Sequence, residues 1–132
     1  MKTVIVNGTF DILHLGHIAL LNTARSYGDY LVVCIDTDRR VRELKGDKRP
    51  INDQLFRRTI LSNFKSVDVV ELFDSDEELI KLIKKYKPDI MVKGDDYQGK
   101  KILGETLIPK IIYYERTEHS TTKAIQDIVN RG

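Results

Sequence analysis

The constraint on this chain is an alternation: short unbroken apolar runs take turns with stretches whose apolar residues recur at helical spacing. Residues 3–6 (Thr-Val-Ile-Val) are a mostly β-branched run that stops at Asn7-Gly8. From His17 to Ser26, Ile18, Leu21 and Ala24 or Arg25 recur with the helical period, and Gly28 is the expected stop. Residues 30–35 (Tyr-Leu-Val-Val-Cys-Ile) form a second run. Unbroken apolar runs suit parallel strands covered on both faces. Asn52 or Asp53 can cap a helix through about Asn63, with Phe56, Ile60 and Phe64 as its inward face. Residues 67–72 predict a third strand. Ser75 and Glu78 have capping-box spacing, Leu79, Leu82, Ile83 and Tyr86 make the stripe that follows, and Pro88 ends that helix. Residues 90–92 predict a fourth strand, ending at Lys93-Gly94, and residues 110–114 a fifth. Ser120 can cap a last helix through Val129. Residues 36–50 are dense in charge, show no periodicity and read as irregular, and residues 98–108 support no more than one helical turn.

This order predicts an α/β fold: one domain over residues 1–132, built as a Rossmann-like open sheet of five parallel strands with helices on both faces. Ligands of such sheets bind beyond the carboxyl ends of the strands, near the switch point. The loops to watch are therefore 7–17, 36–50, 93–99 and 115–121.

Composition narrows the functions. A chain of 132 residues, 41% hydrophobic and 32% charged, is long enough for one packed core. Lys and Arg number 22 against 20 Asp and Glu, a net +2. So small an excess argues against a nucleic-acid or membrane-surface protein, since those carry a marked basic stripe. Cys34 is the only cysteine, which excludes an intrachain disulfide and a thiolate zinc cage. No apolar run approaches the ~20 residues that span a bilayer, and residues 1–6 are too short for a signal peptide. A cytoplasmic location is expected.

Two phosphate motifs fail. Gly94-Asp95-Asp96-Tyr97-Gln98-Gly99-Lys100 fits a P-loop until Lys101 stands where Ser or Thr should hold a metal ion, and two carboxylates would sit inside the phosphate cradle. No Gly-x-Gly-x-x-Gly occurs. His14 and His17 lack a nearby third ligand, so no metal ligand is assigned.

The informative stretch is Gly8-Thr9-Phe10-Asp11-Ile12-Leu13-His14-Leu15-Gly16-His17, between the first strand and the first helix. Gly8 lets the chain leave the strand without a side-chain clash, and Gly16 lets backbone approach a ligand. Two imidazoles at the positive end of a helix make a phosphate clamp. A lone histidine there would more simply cap the helix or pack under the sheet; a pair framed by glycines at the switch point favours a site.

This segment matches Gly-x-Phe-Asp-x-x-His-x-Gly-His, and so resembles the signature of the cytidylyltransferase-like nucleotidyltransferases. The resemblance extends along nearly the whole chain. Residues 92–97 (Val-Lys-Gly-Asp-Asp-Tyr) resemble the family's nucleotide-pocket segment. Residues 116–122 (Arg-Thr-Glu-His-Ser-Thr-Thr) resemble the segment that opens its last helix and holds the triphosphate, one residue shorter than in the glycerol-3-phosphate cytidylyltransferases. Two subgroups compete. Arg116-Thr117-Glu118 and Gly94-Asp95-Asp96 look like the glycerol-3-phosphate cytidylyltransferases. Residues 44–52 (Leu-Lys-Gly-Asp-Lys-Arg-Pro-Ile-Asn), Val67-Asp68-Val69-Val70 and residues 88–94 look like the adenylyltransferase domain of ADP-heptose synthase, which usually has Gly-Gly-Asp where Gly94-Asp95-Asp96 stand here. The balance tips to the sugar-phosphate side.

The resemblance implies transfer of a nucleoside monophosphate from ATP or CTP to a phosphorylated sugar or polyol, with release of pyrophosphate. It implies that His14 and His17 grip the phosphates, that Lys45 closes over the triphosphate, and that Arg116 completes the catalytic set. Thr9 and Phe10 would offer backbone N–H groups, Asp11 would orient a histidine or approach the metal, and Gly16 would allow close approach. Arg57, Lys93, Gly94 and Asp95 would line the nucleotide site, and Ser120 and Thr121 would receive a phosphate. Mg²⁺ and a homodimer are further expectations. A non-catalytic nucleotide sensor on the same fold is the competing class.

Overall fold

The computed structural model describes residues 1–115. Arg116, Ser120, Thr121 and the last predicted helix lie outside the described residues. Five strands, β1 (Thr3–Gly8), β2 (Tyr30–Asp36), β3 (Val69–Phe73), β4 (Ile90–Gly94) and β5 (Lys110–Tyr114), form one sheet in the order β3-β2-β1-β4-β5, with every neighbouring pair parallel. Helix α1 (Leu15–Ser26) joins β1 to β2; α2 (Asp38–Lys45) and α3 (Gln54–Ser62) join β2 to β3; α4 (Asp76–Tyr86) joins β3 to β4. Two 3₁₀ turns, Asp95–Tyr97 and Glu105–Leu107, lie between β4 and β5. This is the expected Rossmann-like architecture.

Alternate residues of each strand feed two cores, one on each face. Val4, Val6, Val33, Ile35 and Val92 pack with Leu21 and Ala24 of α1 and Leu61 of α3. Ile5, Val32, Cys34 and Met91 pack with Leu79 and Ile83 of α4. Gly28 follows α1 where a Cβ would stand 2.7 Å from the Lys2 carbonyl oxygen, so only glycine lets the turn meet β1. Ser75 caps α4 as expected: its hydroxyl accepts from the Glu78 N–H, while the Glu78 carboxylate takes the N–H of Asp74.

Two expectations are corrected. Residues 36–50 are not irregular throughout, because α2 occupies Asp38–Lys45. Thr37 caps it through a bond from the Arg40 N–H, and Val41 is its one buried residue. Its charges are fixed instead: Arg39 bonds Glu43 and Asp74, and Arg40 bonds Asp36 and Asp76. A helix held by ion pairs and a single apolar anchor leaves no periodicity to read. In α3 the inward face turns away from Phe56, which is 50% exposed, toward Arg57 and Leu61, which are 1% and 0% exposed.

Burial, and secondarily the nearby Glu71 carboxylate, pushes the Cys34 thiol up to about 12. A thiol so held is unreactive. Cys34 should therefore resist Ellman's reagent at pH 8 until urea unfolds the chain; rapid labelling of native protein would refute this placement.

Candidate active site

The β1–α1 loop is shaped by its own side chains. Phe10 takes a left-handed backbone (φ 52°), a strained conformation for a bulky residue. Its ring is 6% exposed and plugs the core beneath α1. The ring also folds back over Gly8, where a Cβ would stand 3.1 Å from its edge. The glycine expected for strand exit thus also makes room for the phenylalanine two residues on.

His14 is the N-cap of α1 and His17 its third residue, and together they form a capping box from two imidazoles. His14 Nδ1 accepts from the Gly16 N–H at 3.0 Å, and His17 Nδ1 accepts from the His14 N–H at 3.3 Å. The ring centroids are 4.1 Å apart, and the His17 ring lies 5.4 Å from that of Phe10. An Nδ1 that accepts a backbone hydrogen bond carries no proton, so each neutral ring holds its proton on Nε2. The pair stands at the N-terminus of a helix whose first turn contains no acidic residue. Helix ends of this kind favour anions.

Beneath the loop lies a brace. The Arg57 guanidinium is wholly buried and makes four hydrogen bonds: Nε to the Asn52 carbonyl (3.0 Å), Nη1 to the carbonyls of Thr9 (2.9 Å) and Asp36 (2.8 Å), and Nη2 to the Asp38 carboxylate (2.8 Å). It ties the ends of β1 and β2 to the starts of α2 and α3. Asp11 accepts from the backbone N–H groups of Ile51 (2.9 Å) and Asn52 (2.8 Å), and the Asn52 amide donates back to the Asp11 carbonyl. Arg57 and Asp11 are thus placed as supports of the loop, with their polar atoms turned to protein. The Gly16 N–H is likewise held by His14.

Of the other expected residues, Thr9 bridges the loop to β2, its hydroxyl donating to the Asp36 carboxylate at 3.3 Å. Lys93 and Gly94 end β4, and Asp95 opens the 3₁₀ turn after it. The Lys93 ammonium stands 4.7 Å from the Tyr97 ring. Partial burial lowers its pKa, opposed by the charges of Asp36 and Asp96. Lys45 is the exposed last residue of α2, ahead of Gly46 (φ 96°), and is not bonded to the imidazole pair.

Two residues at this end of the sheet escaped the sequence reading. Asp36 is 8% exposed at the tip of β2 and accepts from Arg40 Nε at 2.8 Å. Asn7 stands in β1 with its side-chain oxygen buried and unbonded among the described residues. A signal existed for both: each is the polar residue that ends an apolar run at the expected switch point. Among the described residues no group of three His, Cys, Asp or Glu is disposed to hold a metal ion, and Asp11 is engaged by backbone amides.

Comparison with known proteins places the chain in a family. The model of the cytidylyltransferase-like family matches residues 5–127. The bifunctional protein HldE of Campylobacter fetus is 48% identical over 126 residues, covering 95% of this chain and 27% of that protein. HldE of Campylobacter curvus is 47% identical over 124 residues, covering 94% and 26%. The chain thus spans about a quarter of the length of these curated relatives. The crystal structure of the lipopolysaccharide core biosynthesis protein from Thermoplasma volcanium, 32% identical, superposes with a TM-score of 0.74, covering 89% of this chain and 99% of that one.

Proposed function

The chain belongs to the cytidylyltransferase-like family, and from that premise we propose that it transfers a nucleoside monophosphate from a nucleoside triphosphate to the phosphate of a phosphorylated sugar, releasing pyrophosphate. ATP is the favoured donor and a heptose-type sugar 1-phosphate the favoured acceptor. The likeness of residues 44–52 to the heptose-type subgroup, the HldE relatives and the lipopolysaccharide core neighbour support that choice.

The observation that carries the reading is the imidazole pair at the α1 N-terminus, oriented by the hydrogen bonds that both Nδ1 atoms accept from backbone N–H groups. The acceptor phosphate is already an anion, so no general base is needed. Catalysis rests on in-line placement and on stabilising the charge that builds on the pentacoordinate phosphorus. His14 and His17 donate to the phosphoryl oxygens. Phe10, Asp11 and Arg57 hold the loop so that this pair need not reorganise as charge develops. Lys45 closes from α2, while Lys93, Gly94 and Asp95 border the nucleotide, and Arg116, Ser120 and Thr121 complete the phosphate contacts. The triphosphate enters as its Mg²⁺ complex. Mg²⁺ bound with the triphosphate would offset its negative charge.

A homodimer is part of the reading. Ile12 and Ile51 are exposed, and they flank the Asp11–Asn52 bonds in sequence; a second copy would cover them. A reaction that consumes a nucleoside triphosphate also favours the cytoplasm, and no helix among the described residues is long and apolar enough to cross a membrane.

The test is a matrix of the four nucleoside triphosphates against heptose 1-phosphate, glycerol 3-phosphate and other sugar phosphates, read as pyrophosphate release. Release with ATP and a sugar 1-phosphate is expected. Release only with CTP and glycerol 3-phosphate would move the protein to the other subgroup, and triphosphate binding with no release under any pairing would make it a sensor.

A further inference from the structure

On the α4 face of the sheet, at its carboxyl end, three polar residues share one small area. Asn7 is paired with Cys34 of β2. Ile5 is paired with Met91 of β4, and Asn7 and Lys93 each lie two residues further along that face of their own strands. Ile5, Cys34 and Met91 all belong to the core on the α4 face, and Asp36 lies two residues beyond Cys34. Asn7, Asp36 and Lys93 therefore project together from β1, β2 and β4. The β1–α1 connection leaves on the opposite face, where α1 packs. The cluster and the imidazole pair thus flank one sheet end, with Thr9 between them, bonded to Asp36.

Each member has unused capacity. The Asn7 side-chain oxygen is buried without a partner among the described residues, a state that native structures seldom leave unexplained. The Asp36 carboxylate accepts from Arg40 and, at a long 3.3 Å, from Thr9, where a carboxylate can accept about four bonds. Lys93 supplies a half-buried positive charge, drawn toward Asp36 and Asp96. Two acceptors beside one ammonium suit a polyhydroxylated anion better than a bare phosphate, which a carboxylate would repel.

We propose that Asn7, Asp36 and Lys93 form the acceptor subsite, in which Asn7 and Asp36 accept hydrogen bonds from sugar hydroxyls and Lys93, at the border with the nucleotide, balances the sugar's phosphate. This rests on the nucleotidyltransferase reading for its role in turnover. In-line displacement sets the attacking oxygen and the leaving pyrophosphate on opposite sides of phosphorus. With the triphosphate held by the imidazoles over the α1 face, the attacking side opens toward this cluster.

The test is direct binding of a sugar 1-phosphate and, separately, of ATP to the full chain, alongside steady-state kinetics, for wild type, Asn7→Ala and Asp36→Asn. Asn7→Ala removes no hydrogen bond to a described residue, so its fold should persist, as thermal denaturation would verify. We expect at least tenfold weaker sugar-phosphate binding and at least a tenfold higher acceptor KM in both variants, with ATP affinity within twofold of wild type. Asn7→Ala should also lose wild-type preference for a sugar phosphate over glycerol 3-phosphate. Loss of ATP affinity instead would assign the cluster to the nucleotide's ribose and overturn the proposal. So would wild-type affinities in both variants, or a wild-type protein that binds no sugar phosphate. The expected binding pattern without pyrophosphate release would leave the subsite standing and overturn the catalytic reading alone.

Discussion

Alanine in place of His17 is expected to lower kcat for pyrophosphate release by about 10²- to 10³-fold, the usual effect of deleting one preorganised donor to a developing anion. The same change deletes the acceptor for the His14 N–H and so half of the capping box, which should cost about 1 kcal/mol of stability. The two effects can be separated. Asparagine at position 17 can still accept the backbone bond through its side-chain oxygen, but it cannot reach as far as Nε2. His17→Asn should recover much of the melting temperature and none of the rate. A His17→Ala protein with full turnover would show that the phosphates are held elsewhere.

Arg57→Met is expected to destabilise the fold by roughly 3–5 kcal/mol, the range for removing one partner of a buried, hydrogen-bonded charge. Against a total stability of about 5–15 kcal/mol, that is a large share. The carbonyls of Thr9, Asp36 and Asn52 and the Asp38 carboxylate would all lose their common donor. Arg57→Lys keeps the charge but not the planar fork that spans four oxygens, so it should recover only a part. Urea denaturation at pH 7 measures both variants. A midpoint unchanged in Arg57→Met would mean that the brace is not what joins these elements.

How much could be read before folding differs by element. The strands were legible because buried parallel strands must be apolar along their whole length, and residues 3–6, 30–35, 90–92 and 110–114 all fall inside observed strands. Helix α4 was legible from Ser75, its stripe and Pro88. Helix α2 was not, since its stabilising partners, Asp36, Asp74 and Asp76, lie outside it and contact it only once the chain has folded. The register of α3 misled for a related reason. A charged residue that points inward reads as surface until its buried partners are known.

The sequence by itself determined the strand-and-helix order, hence the parallel sheet and which loops lie at the carboxyl ends of its strands, because hydrophobic period and strand burial are local properties of the chain. It also located the imidazole pair, since a loop of ten residues holds both histidines and the glycines that shape it. Only the tertiary structure decided which polar residues are tied down by protein partners. Arg57 and Asp11 became supports, and Asp36 was tied to the β1–α1 loop, through contacts between segments 21 to 48 positions apart. The worth of a buried polar group is set by the partners that folding brings to it, and spacing along the chain carries no record of them.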